Sequence, residues 1–242
     1  MRSISLVVPT LNEEQNILRT LECIFKYASN PWDIELIVVD GGSTDSTVAL
    51  LEQWQLNHPE QAITILMGPA GRARQMNLGA SHARADIVYF LHADTQPPKN
   101  YDKLIACNLD ATRQAGCFRM TFDTNHWWLK LAAWGTRFNW RFCRGGDQSL
   151  FVQKDLFNQL GGYDQRHIIC EDLNLIDRLY KATRFIVLPH QVISSARKYR
   201  TLGIWYLQWH FWVVQLNYRK GHTPEQLWAY YQRNIGTVGE NQ

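Results

Sequence analysis

The stretch Ile4-Ser5-Leu6-Val7-Val8-Pro9-Thr10-Leu11-Asn12-Glu13 decides the fold. Ile4 to Pro9 is a short, near-continuously apolar run that stops at a polar turn. A strand buried on both faces reads this way, whereas a half-exposed strand alternates. Asn12 is placed to cap a following helix, with Gln15 three residues on as capping-box partner. Ile17, Leu21 and Ile24 then recur at helical spacing. The alternation repeats outward: Ile34–Val39 as strand, Val48, Leu51 and Trp54 as helix, Ala62–Leu66 as strand, 72–83 as helix, Ile87–Leu91 as strand. This order predicts an α/β fold, a doubly wound and mostly parallel sheet with helices on both faces.

The second half is less regular. Gly116–Phe122 reads as a strand, 126–142 as an aromatic helix or loop, and Gln148–Val152 as a short strand. A helix near 154–160 stops at Gly161-Gly162. Glu171–Lys181 is a helix, Arg184–Leu188 a last strand, and 203–219 and 223–235 form a helical C-terminal tail. Without a repeat or linker, residues 1–242 read as a single domain of two halves, 1–97 and 98–200, with an aromatic tail, 201–242.

Composition narrows the function. Of 242 residues, 45% are hydrophobic and 19% charged, which excludes wholesale disorder. A net charge of +3 does not mark a dedicated nucleic-acid binder. The five cysteines are odd in number and lack C-x-x-C spacing, so a reducing, cytoplasmic setting is expected. No signal peptide is visible, and the apolar run Leu202–Leu216, broken by Gln208 and His210, falls short of the ~20 residues that span a bilayer.

In open α/β sheets ligands bind outside the carboxyl ends of the strands. The polar clusters lie there: Thr10–Glu13 after the first strand, Asp40-Gly41-Gly42-Ser43-Thr44-Asp45 after the second, and His92-Ala93-Asp94-Thr95-Gln96 after the fourth. Asp40 can accept hydrogen bonds from a base or ribose, or simply close a tight turn. Arg72 and Arg74 open a helix whose dipole disfavours cations, which suggests an anionic ligand; solvated arginines are the alternative. Asp94 can hold Mg²⁺ or Mn²⁺ against a diphosphate, with His92 and Gln96 on one side of the extended chain. Glu171-Asp172 opens a helix, where acids also serve the dipole; facing a cleft, one of them can take a proton from a hydroxyl.

These clusters, in this order, resemble family 2 glycosyltransferases of the GT-A fold, over roughly residues 3–200. The stretch Gly145-Gly146-Asp147-Gln148-Ser149 followed by Gly161-Gly162-Tyr163-Asp164 matches as well. Gly71-Arg72-Ala73-Arg74-Gln75-Met76-Asn77 with Gly146-Asp147-Gln148 and Ser195-Ala196-Arg197-Lys198 is similar to a compact bacterial subgroup. The resemblance implies an inverting transferase that uses a nucleotide-diphosphate sugar, an acceptor hydroxyl, and Mg²⁺ or Mn²⁺. Residues 1–97 would then be the nucleotide-binding half and 98–200 the acceptor half. By position, Pro9, Thr10, Leu11, Glu13, Asp40 and Ala93 would hold base and ribose, with Arg72 and Gln75 approaching the nucleotide. Asp94 would bind the metal. Asp172 would be the general base, with Glu171 supporting it. Gly146, Asp147 and Gln148 would face acceptor or donor sugar, and Arg197 or Lys198 the diphosphate. The family's Asp-x-Asp is here His92-Ala93-Asp94, so its first carboxylate is missing. This reading expects Asp94 and Asp172 to share one crevice.

Two rivals stand beside it. A sugar-phosphate nucleotidylyltransferase would carry a glycine-rich basic loop directly after the first strand, where this chain has Thr10-Leu11-Asn12-Glu13. A decayed nucleotide-sugar-binding module would explain the missing carboxylate but not the retained Glu171-Asp172. Trp127, Trp128, Trp134, Phe138, Trp140 and Phe142 pack on the sheet or wall an acceptor site. The aromatic 203–219 tail packs internally or forms a homodimer face, with peripheral membrane contact as the alternative.

Overall fold

A computed structural model describes residues 3–145 and 148–236. The alternating first half forms β1 (Ile4–Thr10), α1 (Ile17–Tyr27), β2 (Ile34–Asp40), α2 (Thr47–Asn57), β3 (Ile63–Met67), α3 (Arg72–His82) and β4 (Ile87–Phe90). The chain continues through β5 (Thr95–Gln96), α4 (Tyr101–Asn108), β6 (Ala115–Phe122), α5 (Trp127–Gly135), β7 (Leu150–Gln153), α6 (Lys154–Gln159), α7 (Glu171–Ala182) and β8 (Ile186–Ser194). It ends in α8 (Arg197–Leu202), α9 (Ile204–Arg219), α10 (Pro224–Tyr231) and a π-helical turn, Gln232–Gly236.

The strands form one eight-stranded sheet in the order β3-β2-β1-β4-β7-β6-β8-β5. β3, β2, β1 and β4 are parallel. β7 pairs antiparallel with both β4 and β6, and β5 antiparallel with β8. The α/β fold is as expected, but parallel pairing is confined to the first four strands and the β6–β8 pair. Apolar runs report burial on two faces and not strand direction, so they could not show this.

Period two fills both layers. Ile4, Leu6 and Val8 point to a core with Leu21 and Ile24 of α1 and Tyr101 of α4. Val7 points the other way, to Ile37, Val39, Met76 and Ala80. Gly79 lets α3 approach β1 closely: a Cβ there would lie 2.4 Å from Val7 Cγ1.

Two local expectations are corrected. Asn12 does not cap α1, whose N-cap position is Asn16. Asn12 is left-handed (φ 53°), which Asn tolerates, and its Oδ1 accepts from the Thr44 amide at 2.9 Å. It ties the first loop to the second. The last strand runs to Ser194, beyond Leu188. Its register with β6 jumps from Leu188–Phe118 to Gln191–Arg119, so Pro189 and His190 sit at a bulge. Proline cannot donate to the ladder, and its presence hid the continuation.

Candidate active site

The loop after β2 is organised by Asp40. Its Oδ1 accepts from the amides of Gly42 (2.9 Å) and Ser43 (2.8 Å), and its Oδ2 from the Thr10 hydroxyl (3.2 Å) and the Ser43 hydroxyl. The carboxylate is buried and shapes the turn in which Gly42 adopts φ 94°. Beneath it, Gln75 is 2% exposed, and its Nε2 donates to the carbonyls of Thr10 (2.7 Å) and Val39 (2.9 Å). Gln75 thus holds the ends of β1 and β2 from below. Leu11 is exposed on the same rim, and Ala93 is buried with its carbonyl accepting from Thr20.

The segment after β4 separates two hollows. One is lined by Pro9, Met76, His92, Ser149, Tyr163 and Asp172. The other is lined by Asn16, Arg19, Asp94, Gln96, Asp123 and Ser195. Asp172 lines the first of these and Asp94 the second, and the two linings come within two residues of each other along the chain, at His92 and Asp94. His92 and Gln96 likewise line different hollows.

At the start of α7, Glu171 is 0% exposed and Asp172 is buried beside it. Arg72 Nε lies 2.8 Å from Glu171 Oε1, so the arginine opening α3 meets the acid opening α7. Burial pushes the Glu171 carboxyl up to about 7; Arg72 pulls it down and Asp172 raises it further. Tyr163, fully buried against this group, has its phenol pushed well above its ordinary value by burial and by both acids.

Arg197 opens α8 and reaches back to the first loop, its Nη2 donating to Glu13 Oε1 at 2.9 Å. Asp94 lies close enough to stabilise the Arg197 charge. Lys198 is exposed. Gln148 is buried; its Oε1 accepts from Arg144 at 2.7 Å and its Nε2 donates to the Cys143 carbonyl. Gly146 and Asp147 lie outside the described residues. Arg144 escaped the sequence reading. It is 1% exposed and also donates to the carbonyls of Thr136 (2.7 Å) and Phe138. Only its position between aromatic and glycine runs hinted at such a clamp.

Among the described residues, no group of three or more His, Cys, Asp or Glu forms a metal cage. Asp94 lines a hollow with further oxygen donors from Gln96 and Ser195. Such a set fits Mg²⁺ or Mn²⁺, which are commonly bound by one or two carboxylates together with substrate phosphates.

Comparison with known proteins identifies the fold and the family. The solved mannosyltransferase PcManGT of Pyrobaculum calidifontis, in complex with GDP-Man and Mn²⁺, superposes with a TM-score of 0.70 at 21% identity, over 97% of this chain and 68% of that one. TarS 1-349 of S. aureus in complex with UDP-GlcNAc superposes with a TM-score of 0.63 at 17% identity, over 80% and 58%. Both likenesses show the fold, GT-A. An undecaprenyl-phosphate 4-deoxy-4-formamido-L-arabinose transferase of Proteus mirabilis is 31% identical over 136 residues, 55% of this chain and 41% of its own length. A probable glycosyltransferase, YdaM, of Bacillus subtilis is 22% identical over 87% of this chain and 54% of its own. The chain thus spans about half the length of these curated relatives. Residues 5–160 match the profile of Glycosyl transferase family 2, and the chain belongs to that family.

Proposed function

We propose that the protein moves a sugar from a nucleotide-diphosphate donor to an acceptor hydroxyl, with inversion at the anomeric carbon. The observation that carries this reading is the meeting of Arg72 with Glu171, beside Asp172, at the carboxyl edge of the parallel strands. That edge is where such sheets bind nucleotides.

In this reading the Pro9–Glu13 loop, Asp40 and Ala93 shape the base and ribose pocket, and Gln75 supports it from beneath. Arg72 supplies positive charge near the nucleotide. Asp172 takes the proton from the acceptor hydroxyl as that oxygen attacks the anomeric carbon and the bond to the diphosphate breaks. A positioned base of this kind contributes about 10²–10⁴-fold. Glu171 sets the charge around Asp172. Gly146 and Asp147 are assigned to sugar recognition, with buried Gln148 supporting their segment, and Arg197 and Lys198 offset the charge gathering on the leaving diphosphate. Mg²⁺ or Mn²⁺ held at Asp94 would neutralise the same oxygens.

The rim after β1 lacks the glycine-rich basic loop of a nucleotidylyltransferase, which favours transfer over that rival. A second reading concerns the acceptor. Exposed tryptophans on α5 and α9 favour a lipid-carried acceptor, met in the cytoplasm at the membrane, over a freely soluble one. A homodimer through 203–219 is the competing role of that tail.

Titration calorimetry with GDP and UDP, with and without Mn²⁺, tests the core of the proposal. Binding that strengthens with Mn²⁺ and weakens in Asp94→Ala is expected. Absence of nucleotide-diphosphate binding under every condition would sink it.

A further inference from the structure

We propose that the outward faces of α5 and α9 form a docking surface for an anionic phospholipid bilayer. The inference stands on surface composition and is independent of the transferase reading.

A helix covering a core turns its apolar stripe inward. α9 buries only Leu207 and Val214. Besides Tyr206, its exposed large apolar residues are Trp205, Trp209, Trp212 and Leu216, spaced as i, i+4, i+7 and i+11. These form one outward stripe, with Trp209 61% exposed. α5 repeats the pattern with Trp127, Leu131 and Trp134. The two helices are neighbours. Trp128 lies 5.1 Å from Trp205 and 5.8 Å from Trp212, centroid to centroid, and Trp127 lies 5.9 Å from Trp205. The stripes therefore belong to one aromatic surface. Tryptophan is favoured at the boundary between headgroups and acyl chains.

Charge selects the occupant. Residues 124–145 and 195–236 together hold ten Lys and Arg against one acid, Glu225. Arg144 is buried, and Arg141, Arg197 and Arg200 pair with Asp177, Glu13 and Asp123, which leaves Lys130, Arg137, Lys198, Arg219, Lys220 and Arg233 as the surface cations. Lys130, Arg137 and Lys220 are exposed within these segments. Basic groups also interleave with the rings: the Arg137 guanidinium lies 4.7 Å from the Trp134 centroid, and that of Arg219 lies 3.8 Å from Phe142. A two-fold contact between copies would set this basic surface against itself. An anionic bilayer satisfies both rings and charges. No helix among the described residues is long and apolar enough to cross a membrane, so the contact is one of lying on the surface.

The test is co-sedimentation with vesicles of phosphatidylcholine containing phosphatidylglycerol, against vesicles of phosphatidylcholine alone. Binding to the anionic vesicles, reversed by added salt and accompanied by a blue shift of tryptophan emission, is expected. The triple variant Trp205→Ser, Trp209→Ser, Trp212→Ser, with native far-ultraviolet dichroism, should bind at least about tenfold more weakly. A second variant, Lys130→Glu, Arg137→Glu, Lys220→Glu, keeps the rings and should lose about as much while flattening the salt dependence. Failure of the wild-type chain to sediment with anionic vesicles overturns the proposal. So does equal sedimentation of wild type and both variants. A dimer in analytical ultracentrifugation that the tryptophan variant dissociates, without vesicle binding by either, assigns the surface to a second copy instead.

Discussion

Arg197 Nη2 lies 2.9 Å from Glu13 Oε1, a contact between residues 184 positions apart. It fastens the start of α8 to the loop after β1, and it brings a guanidinium near Asp94. The segment leading into the aromatic tail is thereby tied to the rim proposed to bind the nucleotide. Arg197→Ala should weaken nucleoside-diphosphate binding roughly tenfold, the scale of one lost hydrogen bond to a charged group. Arg197→Lys should recover part of the loss, because charge returns without the planar fork. Calorimetry with GDP or UDP reads both; unchanged affinity in the alanine variant would detach Arg197 from the diphosphate.

Asp172→Asn keeps the size of a buried side chain and removes its basicity. Donor affinity should hold within a few-fold, while turnover falls about 10²–10⁴-fold. Single-turnover transfer measured beside donor binding separates the two quantities. Full turnover in this variant would take the base role away from Asp172.

The first half of the fold was legible because two-sided burial prints apolar runs, and turns between them print polar clusters. The residues proposed for the nucleotide side are read from those clusters. What was hidden depended on partners far along the chain. Asp40 and Gln75 read from the sequence as ligand contacts, yet the structure spends their hydrogen bonds on Thr10, Gly42, Ser43 and Val39. Asn12 carries a cap residue's chemistry but directs it to Thr44 instead of α1. No local pattern reveals such choices. The strand past Pro189 was missed for the opposite reason, since a bulge looks locally like an ending.

Glu171 gives the protein a pH dependence of defined sign. Its carboxyl is raised from 4.5 to about 7 in the folded chain, chiefly by burial. Between these values the folded state holds a proton that the unfolded state has released, so stability falls as pH rises through the window. The contribution is fully present below about 4.5 and lost above about 7. Glu171→Gln, uncharged throughout, should flatten this part of the stability profile and be more stable relative to wild type at pH 8 than at pH 5. Urea denaturation across that range is the measurement. An identical slope in both proteins would remove Glu171 from the account.

Arg144 clamps the segment that precedes Gln148. Its guanidinium is buried and meets Gln148 Oε1, the carbonyls of Thr136 and Phe138, and Cys117 Sγ at 3.0 Å. Arg144→Ala removes the donors from these buried acceptors, and a loss of about 3–5 kcal/mol follows from the scale for dismantling a buried charged network. Arg144→Lys restores charge but not the fork, and should regain less than half. A denaturation midpoint within experimental error of wild type for Arg144→Ala would refute the clamp.

Gln75 and Gly41 are coupled by space as well as by role. A Cβ at Gly41 would lie 2.9 Å from Gln75 Nε2, the atom that donates to Thr10 and Val39. Gly41→Ala must push that amide aside and should cost about 1–3 kcal/mol, the range for overpacking. Gln75→Ala removes both hydrogen bonds, although the Thr10 carbonyl still accepts from the Gly41 amide at 2.9 Å, and should cost about 1–3 kcal/mol. If the shared amide is the cause of both losses, they will not add. Once Gln75 is alanine, Gly41→Ala meets an opening in place of a nitrogen, and its cost should shrink toward zero. The double-mutant cycle then shows a coupling of about 1 kcal/mol or more. Strict additivity would mean that Gly41 is needed for something other than the room it gives Gln75, and the support beneath the nucleotide loop would have to be sought in another residue.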